Sequence, residues 1–446
     1  MSSRNKAAVG ASLVITSILA FMYRRRKESQ TCKNDNYESL IGNTPMIYLK
    51  KLSKRIGNGK HIYVKMESLN PGGTGKDRAA LYMLRDVEER GLLPPPIESK
   101  NDVSTNTNLE STLNISDQDF DNNNDPILST IKIAIQRSKT GGIVVEGTSG
   151  STGISLSTLS AQRGHSVIIV MPDDQSKEKQ TILKCLGAVL HVVPTAAISN
   201  PNAYVNVARK IAEEINSRYG NQVYNGKHIK AAFMNQFENE ANYNAHIMTT
   251  GPEIWQQTSG KIDAFCMSSG TGGTISGVGN YLKSKKPSCQ IVLVDPPGSA
   301  LFNKVKYNIA YASEQKERGL KRHRYDTIAE GIGLDRITQN FAKGNDIFDD
   351  AIRVSDQEAV DMAHWLLKEE GLFIGSSSAM NIYGAIRIAL DAKALERPSN
   401  IVTVVCDGGQ RHLTRFWNRQ FIIDWGLQWP EDDVEAWKKR LPACLV

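Results

Sequence analysis

The chain of 446 residues is poor in cysteine, and its 6 cysteines follow no pattern of metal ligands or disulfide frameworks. No two of them form a CxxC pair, and none stands at zinc-ligand spacing from a histidine. No metal site is therefore expected. Scattered buried thiols in a reducing compartment are the simplest interpretation of these cysteines.

An excess of positive charge is also missing from most of the chain. The formal net charge is +7, but Arg4, Lys6 and the basic cluster at 24–27 account for most of it. The rest of the sequence is nearly neutral. Nucleic-acid binding therefore has little support, because it requires a basic surface.

Long hydrophobic runs are absent apart from one near the start, at residues 7–23, AAVGASLVITSILAFMY. A helix of this length measures about 25 Å and just crosses the hydrocarbon core of a bilayer. Basic residues flank both ends, with the denser cluster on the C-terminal side. The sequence predicts an anchor with its basic flank within residues 1–30, which leaves the body of the chain in the cytosol.

The target membrane of this anchor is open on sequence grounds. A short span with basic flanks resembles the signal anchors of mitochondrial outer-membrane proteins, and this is the address that we expect. An endoplasmic-reticulum anchor and an inner-membrane presequence use similar residue types. A cleaved secretory signal is disfavoured, because the span runs directly into arginines without a small-residue cleavage site.

Beyond the anchor, strand and helix patterns alternate. GGIVVEG, SVIIVMP and AVLHVVP are typical of buried strands, and the segments between them have helical periodicity. IDAFCMSS, QIVLVDP and NIVTVVC continue the pattern in the second half. Such alternation predicts two α/β domains with mainly parallel sheets and a cleft at the carboxyl ends of the strands.

An acidic segment rich in Asn, Asp and Ser interrupts this pattern at residues 94–126. Its apolar residues are too few to offset the entropy of ordering, so it is predicted to be a disordered insertion. We expect a large cofactor domain, a small substrate domain that carries the insertion, and a C-terminal tail. The expected boundaries are 37–65 with 239–425 for the large domain, 66–238 for the small one and 426–446 for the tail.

The stretch NPGGTGKDR, residues 70–78, places Lys76 behind glycines at a predicted helix start. A Walker loop needs GxxxxGK[ST], but Asn70 stands where its first glycine belongs and Asp77 where its hydroxyl belongs. Nucleotide phosphate binding is therefore disfavoured. The lysine must have another function.

Two further loops each join a predicted strand to a predicted helix. EGTSGSTGIS, residues 146–155, offers hydroxyls and backbone amides that suit a carboxylate. SSGTGGTISGVG, residues 268–279, has Ile275 at the third glycine of the dinucleotide fingerprint, so it is predicted to hold a single phosphate. A reactive lysine, a phosphate cup and a carboxylate loop together are what a pyridoxal phosphate enzyme needs.

The ordered set IGNTPMIYL, NPGGTGKDRAA, EGTSGSTGIS, SSGTGGTISGVG and AEGIG resembles the cysteine synthase and cystathionine β-synthase family of fold-type II pyridoxal phosphate enzymes. The resemblance covers roughly residues 37–415 apart from the acidic insertion. It implies the tryptophan synthase β-subunit type of fold, with pyridoxal 5′-phosphate in the cleft. It also implies a homodimer.

Carried over position by position, the resemblance assigns roles to individual residues. Lys76 matches the lysine that bonds covalently to the cofactor and takes the substrate's α-proton. The phosphate cup is Gly270, Thr271, Gly272, Gly273 and Thr274. The residues that match the family's substrate contacts are Thr148, Ser149, Gly150, Thr152, Gln236 and Gly331.

The chain departs from the family pattern at two cofactor-binding positions. Ser151 replaces an asparagine of the family's TSGNTG loop, which contacts both the cofactor's 3′-oxygen and the substrate. The shorter serine side chain needs a bridging water to make the same contacts. Gly408, in VVCDGGQRH, stands where the family has a serine that bonds the pyridine nitrogen. Without that hydroxyl a buried nitrogen lacks a partner, at a cost of ~1–3 kcal/mol. Asp407 and Gln410 are the nearest substitutes.

The implied reaction is β-replacement, in which sulfide displaces the acetoxy group of O-acetyl-L-serine to give L-cysteine and acetate. Three alternatives stay open at this point: a cystathionine β-synthase-like use of serine and homocysteine, β-elimination from serine or cysteine, and a catalytically impaired scaffold. The two departures favour the scaffold, and the intact NPGGTGKDR and GTGGT motifs oppose it.

Overall fold

The computed structural model describes residues 36–97, 125–196, 198–311, 327–391 and 399–446. The predicted anchor at 7–23 and most of the acidic insertion lie outside these residues. Within them, no helix has the length and apolar character needed to cross a bilayer. Residues up to Leu40 form one unit, of which the 3-10 turn Tyr37–Leu40 is described, and Ile41–Val446 forms a second, compact unit.

Two main parallel sheets organise the compact unit. The larger has the strand order β1-β2-β12-β9-β10-β11, and only β1 is antiparallel to its neighbour. The smaller has the order β5-β4-β3-β8 and is parallel throughout. The strands are β1 Met46–Tyr48, β2 Lys60–Met66, β3 Gly142–Gly147, β4 Ser166–Pro172, β5 Val189–Val193, β6 Val223–Tyr224, β7 Lys227–His228, β8 Lys230–Phe233, β9 Ala264–Ser268, β10 Gln290–Asp295, β11 Asp350–Arg353 and β12 Ser399–Val405.

Helices cover these sheets and join their strands. They are α1 Lys50–Ile56, α2 Lys76–Glu89, α3 Pro126–Arg137, α4 Ser151–Arg163, α5 Lys177–Cys185, α6 Tyr204–Tyr219, α7 Ala241–Ala245, α8 Gly251–Gln257, α9 Gly273–Lys285, α10 Leu301–Tyr307, α11 Gln339–Ala342, α12 Asp356–Glu370, α13 Ser376–Ala389, α14 Arg419–Asp424 and α15 Val434–Arg440. A π-helical turn, His246–Thr250, connects α7 to α8.

The prediction of an α/β fold with mainly parallel sheets is confirmed. The continuous apolar runs became strands because both faces of each parallel sheet are covered, so β3 and β4 are buried along their full lengths. The domain boundaries stay predictions, although the smaller sheet draws its strands from residues 142–233 and the larger from 46–66 and 264–405. The predicted C-terminal tail contributes Trp437, Leu441 and Leu445 to the core beside the larger sheet.

Strand register brings three loops together at the carboxyl edge of the larger sheet. They contain Lys76, the phosphate cup and Gly408. Val405 of β12 pairs with Met66 of β2, and Val402 of β12 pairs with Phe265 of β9. The residues that follow β2, β9 and β12 therefore emerge side by side. This is the edge at which parallel α/β sheets bind ligands.

Candidate active site

One cavity of about 180 Å³ collects most of the residues that the sequence analysis singled out. It lies where the loops at the carboxyl ends of both main sheets face each other. The predicted residues that line it are Lys76, Ser149, Ser151, Thr152, Gln236, Gly270, Thr271, Gly272, Thr274 and Gly331. Three sequence motifs that are more than seventy residues apart thus share one site.

Four predicted residues are not among those that line the cavity, and three of them shape its loops instead. The Thr148 hydroxyl accepts a hydrogen bond from the Gly150 backbone N–H (3.1 Å). Gly150 has a φ of +128°, and a Cβ there would lie 2.8 Å from Lys179 Cδ. A Cβ at Gly273 would collide with the Asn242 side chain, so this glycine lets α9 start close to α7.

Gly408 is the fourth, and the structure places it behind the cavity wall. It forms an isolated β-bridge with Ile374. The wall at this end consists of Ser377, Cys406 and Asp407. Ser377, a hydroxyl-bearing residue at the start of α13, therefore lines the cavity at this end, whereas Gly408, three residues after β12, does not.

Lys76 is the first residue of α2, and this half-buried residue lines the cavity. Burial lowers the pKa of the Lys76 amine, although the nearby Cys406, Asp407 and Glu67 oppose this shift. The uncharged amine is consequently more populated than at an exposed lysine. An amine in this state can act as a nucleophile and as a base.

The residues next to Lys76 fix the start of α2. One oxygen of Asp77 accepts from the Gly72 backbone N–H (2.6 Å) and the other from the Ser155 hydroxyl (2.5 Å). Burial raises the pKa of Asp77 to about 6. Because Ser155 belongs to α4, this carboxyl group ties the lysine loop to the helix that follows the carboxylate loop.

Arg78 anchors the same loop to the larger sheet. Its guanidinium donates to both oxygens of Glu67 (2.8 Å each) and to Glu253 (2.6 and 2.7 Å). The charge of Arg78 holds the pKa of Glu67 at about 2 despite complete burial. Glu67, which lines the cavity, is therefore a paired carboxylate and a poor candidate for proton transfer.

The phosphate cup is shaped by close backbone approach. A Cβ at Gly270 would collide with the Gly331 carbonyl oxygen, and a Cβ at Gly272, where φ is +88°, would lie 2.5 Å from Phe341 backbone atoms. The cup opens α9, so its free amides and the helix dipole favour an anion. The Thr271 hydroxyl receives a hydrogen bond from Asn242 Nδ2 (2.9 Å). A cradle that only glycine can form, with hydroxyls at its rim, fits a phosphate group.

The carboxylate loop is held by side chains. Thr152 donates through its hydroxyl to Gln236 Oε1 (2.6 Å), and Gln236 Nε2 donates to the Gly147 carbonyl (2.9 Å). Ser149 and Ser151 border the cavity beside them at the start of α4. The loop therefore presents several neutral donors to the same cavity that holds the Lys76 amine.

Sequence reasoning missed charged pairs in the cavity wall. Lys179 of α5 forms a buried ion pair with Glu330, whose other oxygen lies 3.0 Å from Arg415 Nε. Asp407 pairs with His412 (2.9 Å), and this contact keeps the pKa of Asp407 at about 2 despite burial. The signals in the sequence were the position of Glu330 next to Gly331 within AEGIG and that of Asp407 next to Gly408.

Two parallel sheets, a lysine of lowered pKa in the cavity between their loops and a separate phosphate cup define a fold-type II pyridoxal phosphate site. The chain belongs to the family of pyridoxal-phosphate dependent enzymes, whose model matches residues 37–107 and 126–407. The break between these ranges falls within the predicted insertion. Pyridoxal 5′-phosphate is the cofactor of this family.

Individual relatives extend the match over nearly the whole chain. A Saccharomyces cerevisiae protein named "Putative mitochondrial cysteine synthase" is 40% identical, covering 95% of this chain and 96% of its own. Cysteine synthase 2 of Neurospora crassa is 40% identical over 92% of this chain and 78% of its own. Cystathionine beta-synthase of Apis mellifera is 32% identical, over 91% of this chain and 68% of its own.

Proposed function

We propose that the protein is a pyridoxal phosphate-dependent cysteine synthase that converts O-acetyl-L-serine and sulfide to L-cysteine and acetate. The observation that carries this proposal is one cavity that is lined by Lys76, by the phosphate cup and by a separate carboxylate loop. The cysteine synthase relatives, at about 40% identity over most of the chain, support the choice of reaction.

When bound, pyridoxal phosphate supplies an electron sink for the charge left on the substrate Cα. The cup from Gly270 to Thr274 would hold its phosphate through backbone amides and hydroxyls. Lys76 would bind it covalently. Ser377 offers a hydroxyl at the opposite wall. We propose that this hydroxyl would bond the pyridine nitrogen of the cofactor, in place of the family serine that is missing at Gly408.

The substrate enters against the carboxylate loop. Ser149 and Ser151 would donate hydrogen bonds from their hydroxyls to its α-carboxylate and Thr152 from its backbone N–H, while the Thr152 hydroxyl donates to Gln236 and holds it beside the loop. Once released from the cofactor, the Lys76 amine would take the α-proton, for which its lowered pKa suits it. The acetoxy group would then leave as acetate with the bonding electron pair, hydrosulfide would add at the vacated carbon, and Lys76 would return its proton to Cα to give L-cysteine.

Absorption spectra and product analysis test this function. Purified protein lacking residues 1–30 should be yellow and should form cysteine from O-acetylserine and sulfide. Lys76→Ala should lose both properties, whereas Lys177→Ala, an exposed lysine on α5, should keep them. A colourless wild-type protein would contradict the proposal, and cystathionine formed from serine and homocysteine, without cysteine synthesis, would favour the second reaction of the family.

The location and assembly are separate proposals. We propose that residues 7–23 anchor the protein in the mitochondrial outer membrane with the catalytic part in the cytosol, supported by the basic flanks and by the mitochondrial name of the yeast relative. Carbonate extraction and protease protection of full-length and truncated protein would test the anchor. We also propose a homodimer, which sedimentation velocity would distinguish from a monomer.

A further inference from the structure

His246 lies at the edge of the phosphate cup and has no assigned role so far. It is the first residue of the π-helical turn His246–Thr250 and is 1% exposed, yet it lines the cavity. π-helical turns are rare and occur frequently at functional sites. The position of His246 in such a turn therefore indicates a functional role for its imidazole.

Both ring nitrogens of His246 have a threonine partner. Nε2 lies 3.0 Å from the hydroxyl oxygen of Thr274, the last residue of the cup. Nδ1 lies 2.9 Å from the hydroxyl oxygen of Thr250, at the other end of the π-helical turn. Thr250 is fully buried and is not one of the residues that line the cavity. The imidazole thus connects the cup to a hydroxyl behind it.

Close packing keeps the ring in this position. A Cβ at Gly277 of α9 would lie 2.8 Å from the His246 Cβ and 2.9 Å from the Ile247 backbone nitrogen. Only a glycine at this point allows α9 to approach the π-helical turn so closely. Thr274 also belongs to α9. The contact between α9 and the π-helical turn therefore fixes the imidazole relative to the Thr274 hydroxyl.

The imidazole is neutral in this environment. Burial lowers the pKa of His246 to about 3, and the positive charges of Arg78 and Lys76 act in the same direction. Glu67 opposes the shift, but it is already paired with Arg78. A neutral imidazole has one N–H donor and one acceptor nitrogen, so its two threonine contacts must differ in direction.

The two tautomers have opposite consequences for the cup. If Nδ1 carries the hydrogen, Nε2 must accept the only hydroxyl proton of Thr274, which turns oxygen lone pairs toward the cavity. If Nε2 carries the hydrogen, it donates to the Thr274 oxygen and leaves the hydroxyl proton free for an anion. A phosphate group is an acceptor, so only the second arrangement stabilises it.

We propose that His246 is a positioning residue for the cofactor phosphate. Its Nδ1 accepts from the Thr250 hydroxyl, its Nε2–H donates to Thr274 Oγ1, and the Thr274 hydroxyl proton is thereby directed at the phosphate. Thr250 acts on the cup through His246, because donation from its hydroxyl to Nδ1 selects the tautomer that carries the hydrogen on Nε2. The inference rests on the proposed function only in that pyridoxal phosphate must bind.

Nitrogen NMR of the holoenzyme tests the tautomer directly. In protein labelled with ¹⁵N-histidine, we expect His246 to show a protonated Nε2 and an unprotonated Nδ1 that do not change between about pH 6 and 9. His246→Gln assigns the signals. A protonated Nδ1, or an imidazolium with two protonated nitrogens, would overturn the proposal.

Substitution of the distant threonine tests the consequence. Thr250→Val removes the donor to Nδ1 at constant shape, and we expect it to raise the dissociation constant of pyridoxal phosphate about tenfold. Thr249→Val is the matched control, since the Thr249 hydroxyl bonds only to the Ala245 carbonyl. Equal effects of the two variants would contradict the inference.

A double variant separates positioning from general damage. If Thr250 acts through Thr274, the double variant Thr250→Val/Thr274→Val should bind the cofactor no more weakly than Thr274→Val alone. Additive losses would refute the coupling. If the wild-type protein binds no pyridoxal phosphate under any condition, the proposed function itself fails, which is a different outcome from normal binding without coupling.

Discussion

The phosphate cup and the carboxylate loop have similar composition but are held in different ways. Both are rich in Gly, Ser and Thr, and both join a parallel strand to the start of a helix. The cup is fixed by close backbone packing: Gly270 lies against the Gly331 carbonyl and Gly272 against the Phe341 backbone, with no space for a Cβ at either glycine. The carboxylate loop is fixed by hydrogen bonds, chiefly that between Thr152 and Gln236.

This difference corresponds to the ligands that the two loops would receive. A cofactor that stays bound favours a site with no freedom to relax, because preorganisation lowers the entropic cost of binding. A substrate that enters and leaves on every turnover suits a loop whose hydrogen bonds can be exchanged. The buried ion pair of Lys179 and Glu330 joins the two sides, since Lys179 packs on Gly150 and Glu330 precedes Gly331.

The largest expected effect is in the cup. Gly272→Ala places a methyl group against Phe341 at a φ of +88°, so we expect it to cost roughly 3 kcal/mol of stability and to abolish cofactor binding. Gly187→Ala is the control, because it has a similar φ of +81° but open space around the new Cβ. It should cost only about 1 kcal/mol. If urea denaturation gave the same loss of stability for both variants, backbone strain at positive φ, and not the close approach of Phe341, would explain the glycine in the cup.

A substitution in the carboxylate loop should change substrate binding and leave cofactor binding unaltered. Thr152→Val removes the hydrogen bond that holds Gln236 beside the carboxylate loop, so we expect KM for O-acetylserine to rise about tenfold. The spectrum of the bound cofactor should stay unchanged. Thr158→Val, which removes a hydroxyl bonded to the Ile154 carbonyl on the same helix, should leave KM unaltered. Loss of cofactor from Thr152→Val would mean that the two loops are not independent.

The fold and the chemical elements of the site could be predicted from the sequence because they depend on local patterns. Apolar strand runs, the lysine behind glycines and the GTGGT cup are each contiguous, and the structure assembles them as expected. The sheet edge follows from the alternation of strands and helices. None of this required knowledge of distant contacts.

The remaining parts of the site depend on contacts between segments that are far apart in the chain. His246 reaches Thr274, and Lys179 reaches Glu330, only because helices from different parts of the chain pack together. Of the residues considered for the wall opposite the cup, Asp407 lines the cavity and Gly408 does not, and the structure adds Cys406 and, from α13, Ser377. No spacing rule brings the end of β12 and the start of α13 to one wall.

The smallest expected effect concerns Glu146, at the end of β3 beneath the carboxylate loop. Burial raises its pKa to about 8, and Gln236 N–H is 3.4 Å from one of its oxygens. Between about pH 4.5 and 8 the folded chain holds a proton that the unfolded chain has lost, so stability falls as the pH rises through this window. Glu146→Gln should remove that slope, and its stability relative to wild type should increase by at least about 1 kcal/mol from pH 5 to 8.

Urea denaturation at several pH values measures this slope, with Glu213→Gln, an exposed carboxyl on α6, as the matched control. The control should follow the wild-type profile. A Glu146→Gln profile parallel to that of the wild type would mean that Glu146 is ionised in the folded protein. The carboxylate loop would then rest on a buried negative charge that repels the substrate's own carboxylate. A protonated Glu146 avoids this repulsion, so the neutral donors above it can act on the substrate alone.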